Sequence, residues 1–184
     1  ALARAQSIAP EARRIGLSAT VADPEALQHW LAPTGSKPVP LVMGIAGAAP
    51  LIRILKSAER VPWSGHSSRY AIEEVYEEIT RAKMTLIFVN TRSQAEMTFQ
   101  WLWEANEANL PIALHHGSLD VGQRRKVEAA MAAGKLKAVV CTSTLDLGID
   151  WGDVDLVIHV GAPKGSSRLL QRIGRSNHRL DSPS

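Results

Sequence analysis

From Tyr70 onward the chain alternates short apolar runs with stretches whose apolar residues recur every three or four positions. Ile72, Val75, Tyr76 and Ile79 fall on one stripe, and the spacing predicts a helix over 70–81. Thr85 to Val89 reads as a buried strand. Ser93-Gln94-Ala95-Glu96 has the form of a capping box and predicts a helix that reaches about Asn106. Ile112 to Leu114 continues a sheet. Asp120 can cap a helix over Val121 to Ala133, with Gly134 as its left-handed stop. Leu136 to Cys141 and Leu156 to Val160 read as further strands, and Ser166 or Ser167 can start a short helix through Ile173. Strands that alternate with helices imply α/β layering around a parallel sheet.

The first third is less regular. Arg14 to Ser18 reads as a short strand entering a loop. Asp23 can cap a helix to about Leu31, with Pro24 at its first position, where a missing N–H costs little. Pro33 to Pro40 is too rich in Gly and Pro to be regular. Val39 to Leu55 has no clear period and is taken as extended connections, and Arg60 to Ser68 as an ordered loop. The boundary is expected between about Gly44 and Arg60. Residues 1–50 would be the tail of one domain with its linker, and 51–184 most of a second, truncated domain.

Composition narrows the function little. The 184 residues are 45% hydrophobic with a formal charge of +3, an ordinary globular balance that permits a nucleic-acid partner without demanding one. The distribution says more: Arg168, Arg172, Arg175 and Arg179 crowd one segment, and Arg124, Arg125 and Lys126 form a second group. Cys141 is the only cysteine, which excludes an intramolecular disulfide and a zinc site built on several thiolates. No run is apolar and long enough to span a bilayer, and a cytoplasmic setting is expected.

In open parallel sheets, ligands collect beyond the carboxyl ends of the strands. The loops there carry Asn90-Thr91-Arg92, His115-His116-Gly117-Ser118 and Thr142 to Asp150. Hydroxyls, backbone N–H groups and helix N-termini suit phosphate oxygens. Any one such loop can be ordinary turn chemistry; several on one sheet edge favour a site. His115 and His116, being adjacent on a strand, point opposite ways and do not chelate one ion, so no metal is assigned to them. Trp101 and Trp103 are read as packing and partner-surface residues.

The ordered set Leu17-Ser18-Ala19-Thr20, Pro62-Trp63-Ser64-Gly65-His66, Phe88-Val89-Asn90-Thr91-Arg92, His115-His116-Gly117-Ser118-Leu119, Thr144-Leu145-Asp146-Leu147-Gly148-Ile149-Asp150, Pro163-Lys164-Gly165 and Gln171-Arg172-Ile173-Gly174-Arg175-Ser176-Asn177-His178-Arg179 resembles superfamily-two helicases. More narrowly it resembles the Lhr-type DEXH-box helicases, particularly the ligase-associated group. The resemblance implies the end of one RecA-like motor domain followed by most of a second. It implies ATP-driven unwinding of nucleic acid, with DNA preferred, a repair setting, and a ligase among possible partners. It implies that Ser18 and Thr20 couple ATP state to strand movement. Asn90, Thr91, Arg92, His116, Gly117, Ser118, Thr142 and Ser143 would face the nucleic-acid backbone. Gly148, Asp150, Arg172 and His178 would lie near the nucleotide, with Gln171, Arg175 and Arg179 facing the reacting phosphates of ATP. On that resemblance Arg175 would be the principal finger. The second is open between His178 and Arg179, because His178 stands where many relatives have arginine. Local carboxylates such as Asp150 or Asp153 are the competing partners for Arg172.

The sequence has no G-x-x-x-x-G-K-[ST] phosphate cradle, and Asp23-Pro24-Glu25-Ala26 does not sit at a strand end. The expectation is therefore a fragment holding the arginine half of a split ATPase, with ATP and Mg²⁺ held mainly by the first RecA-like domain. The alternative is a catalytically silent domain that docks nucleic acid or a partner. An unrelated small-molecule enzyme would need a complete glycine-rich cofactor loop, and there is none.

Overall fold

The computed structural model describes residues 2–18, 21, 23–32, 36–43, 50–58, 68–146, 154–163 and 165–173. The chain divides into two compact units, residues 1–46 and 47–184.

The first unit contains α1 (Leu2–Ile8) and α2 (Pro24–Leu31). The start of α2 is as the sequence predicts: Asp23 is extended and its carboxylate accepts the Ala26 N–H at 2.9 Å, with Pro24 next. The strand predicted at 14–18 is not formed. A strand needs a ladder partner, and the described residues of this unit supply none. Arg14 serves α2 instead, donating from Nη1 to the carbonyls of Leu31 (3.1 Å) and Ala32 (3.2 Å), which the helix end leaves open.

The second unit is built on an all-parallel sheet of β1 (Thr85–Phe88), β2 (Ile112–His115), β3 (Ala138–Cys141) and β4 (Leu156–His159), in the order β2-β3-β1-β4. The helices are α3 (Ile72–Arg81), α4 (Arg92–Glu104), α5 (Val121–Ala132) and α6 (Ser166–Ile173). One sheet face, with Ile87, Val89 and Val140, packs on Ile72, Val75 and Ile79 of α3 and on Ala95 and Leu102 of α4. The other, with Leu86, Phe88, Val139 and Cys141, packs on Met131 of α5 and on Leu145. Burial on both faces explains why these strands read as continuous apolar runs rather than alternations. Asp155 accepts the backbone N–H groups of Lys83 and Met84, tying the entry of β4 to that of β1. Gly134 ends α5 at φ +63°, in the left-handed region.

The predicted capping box is displaced by two residues. The cap of α4 is Thr91, whose Oγ1 accepts the Gln94 N–H at 3.1 Å, while Gln94 Oε1 reaches back to the Asn90 N–H at 3.2 Å. The helix therefore begins at Arg92, and Ser93 lies inside it. Both registers offer a hydroxyl followed three residues later by a Gln or Glu. The shorter connection from the end of β1 selects the earlier one.

Candidate nucleic-acid interface at the carboxyl edge of the sheet

Strand register sets the geometry of the site. His115, Cys141, Phe88 and His159 are the last residues of their strands and are paired in one row across the sheet, in that order. The loops leaving the strands are stitched together just beyond this row. Asn90 Nδ2 donates to the Ala162 carbonyl at 3.1 Å, joining the loops after β1 and β4. Arg92 Nη1 donates to Ser118 Oγ at 3.1 Å, joining the loops after β1 and β2. His115 Nδ1 lies 2.9 Å from Thr144 Oγ1, joining β2 to the short 3-10 turn Ser143–Leu145 that follows β3.

Asn90, Thr91, Arg92, Gly117, Ser118 and Ser143 are exposed on this edge, and Thr142 is half-buried. Together they form a group of hydroxyls, one amide and one guanidinium. At its border the N-terminus of α5 is occupied by its own cap, Asp120, which accepts the Gly122 N–H at 2.8 Å. Such a surface suits a phosphodiester backbone.

The two histidines go to opposite sides. His115, 1% exposed, is held by Thr144 and by Glu128 of α5, 3.0 Å from Nε2. His116, 2% exposed, lies with Nε2 3.3 Å from Glu96 of α4, and neither ring nitrogen has a hydrogen-bond partner among the described residues. His116 is therefore beneath the surface that Gly117 and Ser118 present.

Arg172 is in the interior. It is 2% exposed, its Nε donates to Asp146 Oδ1 at 2.7 Å, and its guanidinium carbon lies 4.4 Å from the centre of the Phe88 ring. Its Nη1 lies 3.4 Å from His159 Nδ1, and His159 stacks on Phe88. Of the two roles weighed for Arg172, the geometry displays local carboxylate pairing, with Asp146 as the partner among the described residues; Asp150 and Asp153 lie outside them. Arg168, one turn earlier, reaches the other oxygen of Asp146 at 3.3 Å. Burial, and then the Arg172 charge, lower the pKa of His159 to about 4. Burial also raises the Cys141 thiol well above its ordinary range.

Gln171 is half-buried on α6, and Ser18 is exposed in the first unit. Thr20, Gly148, Asp150, Arg175, His178 and Arg179 lie outside the described residues, as does the loop around Pro62 to His66.

The profile of the helicase conserved C-terminal domain matches residues 69–179. The chain belongs to that family. Within superfamily two this helicase domain is of the Lhr type. It is 35% identical, over 97% of its length, to the ATP-dependent helicase Lhr-Core protein 2 of Thermococcus barophilus. The structure of the Mycobacterium smegmatis helicase Lhr bound to ssDNA and AMP-PNP superposes over 94% of the chain with a TM-score of 0.77 and 35% identity. The helicase MrfA bound to DNA superposes over 86% of the chain with a TM-score of 0.63 and 26% identity. The chain spans 22–23% of each of these proteins. The parallel sheet and flanking helices are those of a RecA-like helicase C-terminal domain.

Sequence reasoning missed Asp146, Thr144, Glu128 and His159 as organisers of this helicase edge. One signal was available for Asp146: it is a lone carboxylate between Leu145 and Leu147, where an apolar residue would otherwise pack. No described helix is long and apolar enough to cross a membrane.

Proposed function

We propose that this domain is the second motor lobe of an ATP-dependent nucleic-acid helicase or translocase, with DNA as the expected track. The observation that carries the proposal is the stitched row of exposed Asn90, Arg92, Ser118 and Ser143 on one sheet edge, in a fold whose 35%-identical structural relative is described as bound to ssDNA and AMP-PNP. In this reading Thr142, Ser143 and Arg92 hold backbone phosphates. Their contacts would be largely independent of base identity, as a translocating motor requires. His116 supports the loop from beneath.

ATP and Mg²⁺ would be held mainly by a partner lobe. The described residues here fit a strand backbone and not a triphosphate cradle: Arg172 is already neutralised by Asp146, and Arg168 shares that carboxylate. ATP would supply the phosphoryl group whose transfer drives movement. This chain would add charge stabilisation from Arg175, with His178 or Arg179 as the second donor and Gln171, Gly148 and Asp150 around the nucleotide. Ser18 and Thr20 would couple that state to the strand. A finger that arrives only when lobes close ties hydrolysis to motion.

The test is ATP turnover by the intact protein with and without single-stranded DNA. Stimulation by DNA is expected, and Arg175→Ala should lower it by about 10³-fold or more. The 184 residues alone should bind DNA and turn over no ATP. DNA-independent turnover in the intact protein, or an Arg175→Ala variant with unchanged turnover, refutes the reading. Strand binding without any turnover would favour the silent docking domain. Repair and ligase partners follow from resemblance and would be tested by copurification.

A further inference from the structure

We propose that the open edge of β2, beside the Phe99–Trp103 pair of α4, is a docking site: a basic, extended segment of the intact protein, from outside these 184 residues, adds to the sheet there as a further strand. β2 ends the sheet and is paired only with β3 among the described residues. The carbonyls of Pro111 and His115 accept the N–H groups of Lys137 and Thr142 from the β3 side. Backbone groups alternate in direction along a strand, so those of Ile112 and Leu114 turn the other way, toward the open edge. Natural edges are commonly guarded by charged side chains. This one has no Lys, Arg, Asp or Glu from Ala108 to His115, and is blunted only by Pro111 and by a length of four residues.

α4 supplies an apolar ledge above the edge. Arg92, Glu96, Phe99 and Trp103 have the spacing of one helical stripe. The first two meet the end of β2 and the loop that leaves it: Arg92 donates to Ser118, and Glu96 lies 3.3 Å from His116. The opposite flank of α4 turns to the start of α3, where Thr98 Oγ1 lies 3.1 Å from Ser68 Oγ. The stripe therefore runs down the β2 side of the helix and ends in an aromatic pair. The Phe99 and Trp103 rings stack at 6.1 Å, and Trp103 is 61% exposed. Phe99 and Leu114 pack on the same core, so the ledge continues the apolar face of the strand.

Charge selects the occupant. From Ser93 to His116 the chain has three glutamates, Glu96, Glu104 and Glu107, and no lysine or arginine. Glu104 and Glu107 are exposed next to Trp103 and one turn beyond it. That rim repels a phosphate backbone. A second copy paired edge to edge would bring the same glutamates together. A cationic chain with apolar residues at alternate positions meets both the rim and the ledge. The chain spans 22–23% of its Lhr and MrfA relatives, so a protein of their size has ample polypeptide to supply the strand.

The experiment uses the intact protein. It reads amide hydrogen exchange over residues 110–117, resolved to single amides, together with photocrosslinking from a benzoylphenylalanine placed at position 100 on the exposed face of α4. Trp103→Ala and Glu104→Lys/Glu107→Lys should each speed exchange at Ile112 and Leu114 by about fivefold or more, the scale of a lost backbone hydrogen bond. Ala113 and His115, whose backbone groups face β3, should keep the parental exchange, which also shows that the variants are folded. If Trp103→Ala disturbs those two amides as well, the charge-reversed variant decides, since both of its sites are exposed. The crosslink should join position 100 to a peptide of the same polypeptide that contains lysine or arginine and lies outside these 184 residues. Parental exchange at Ile112 and Leu114 in the charge-reversed variant overturns the proposal, as does the absence of any such crosslink. A crosslink between copies, in a mixture of light and isotope-labelled protein, gives the edge to a second copy and overturns it. Protection of Ile112 and Leu114 that appears only when a dT oligonucleotide is added gives the edge to nucleic acid and overturns it too.

Discussion

The Arg172 guanidinium sits between the Asp146 carboxylate, 2.7 Å from Nε, and the face of the Phe88 ring, 4.4 Å from its centroid. Both charges are almost wholly removed from water. Such a pair is worth little against a well-packed apolar replacement, yet breaking one side is costly because the other charge is left buried. Asp146→Asn should therefore destabilise this domain by about 3–5 kcal/mol, and Asp146→Asn/Arg172→Met should restore most of that loss. Urea titration followed by circular dichroism checks it. Equal destabilisation by the single and double variants would show that the carboxylate matters for something other than neutralising Arg172.

The cap of α4 gives a second test, because two hydroxyls competed for it. Thr91 Oγ1 accepts the Gln94 N–H, whereas Ser93 lies within the first turn. Thr91→Ala should cost about 1 kcal/mol, as loss of an N-cap does, and Ser93→Ala should cost no more than a few tenths. The reverse order in urea unfolding would place the cap where the sequence motif first suggests it. Thr91 is also exposed on the strand-facing edge, so Thr91→Ser, which keeps the cap, separates helix stability from any change in nucleic-acid affinity.

These two cases show how legible the chain is. The strands from Thr85, Ile112, Ala138 and Leu156 are plain in the apolar runs, since burial on both faces leaves a signal that needs no partner to read. The strand order is not, because order depends on which runs pair. Arg14 to Ser18 has the composition of a strand and lacks a neighbour among the described residues. The cap register was ambiguous because Thr91/Gln94 and Ser93/Glu96 have the same spacing. At the site, the exposed loop residues could be named from their place after strands. Arg172 was open between the nucleotide and a local carboxylate, and the carboxylate it meets, Asp146, lies 26 residues earlier, where sequence proximity gives no sign of it.

His159 gives a pH test with a definite sign. Its pKa falls from an ordinary 6.5 to about 4, chiefly through burial and then through the Arg172 charge, with Asp146 opposing. The neutral ring can accept from Arg172 Nη1 at Nδ1, and a proton there would face the guanidinium. Between pH 6.5 and about 4 the unfolded chain takes up a proton that the folded chain refuses. The stability due to the neutral ring is thus fully present above pH 6.5 and is lost as pH falls toward 4. Melting temperature should decline across that window. His159→Asn, which keeps an acceptor near the Nδ1 position, should flatten the decline, and an unchanged slope in the variant would assign the titration to another group.

Cys141 closes β3 in the same row, next to Phe88, with its thiol fully buried. Alkylation needs the thiolate, and burial raises this thiol well above its ordinary range, against a smaller opposing influence from Arg172. Access adds a second barrier, since a reagent must wait for the sheet edge to open. The native protein at pH 8 should therefore react with iodoacetamide at Cys141 more slowly than the urea-unfolded chain by a factor of about 10³ or more, the scale set by the free energy of opening a core strand. Peptide mapping of Cys141 after timed labelling measures it. The two barriers respond differently to substitution: Arg172→Met removes a cation that favours the thiolate, whereas Asp146→Asn lowers the cost of opening. Faster labelling in Asp146→Asn, with no acceleration in the stable double variant, would locate the protection in the folded packing of this row. Rapid labelling of the native parent would mean that β3 is exposed at its carboxyl end, and that the row does not close as a unit.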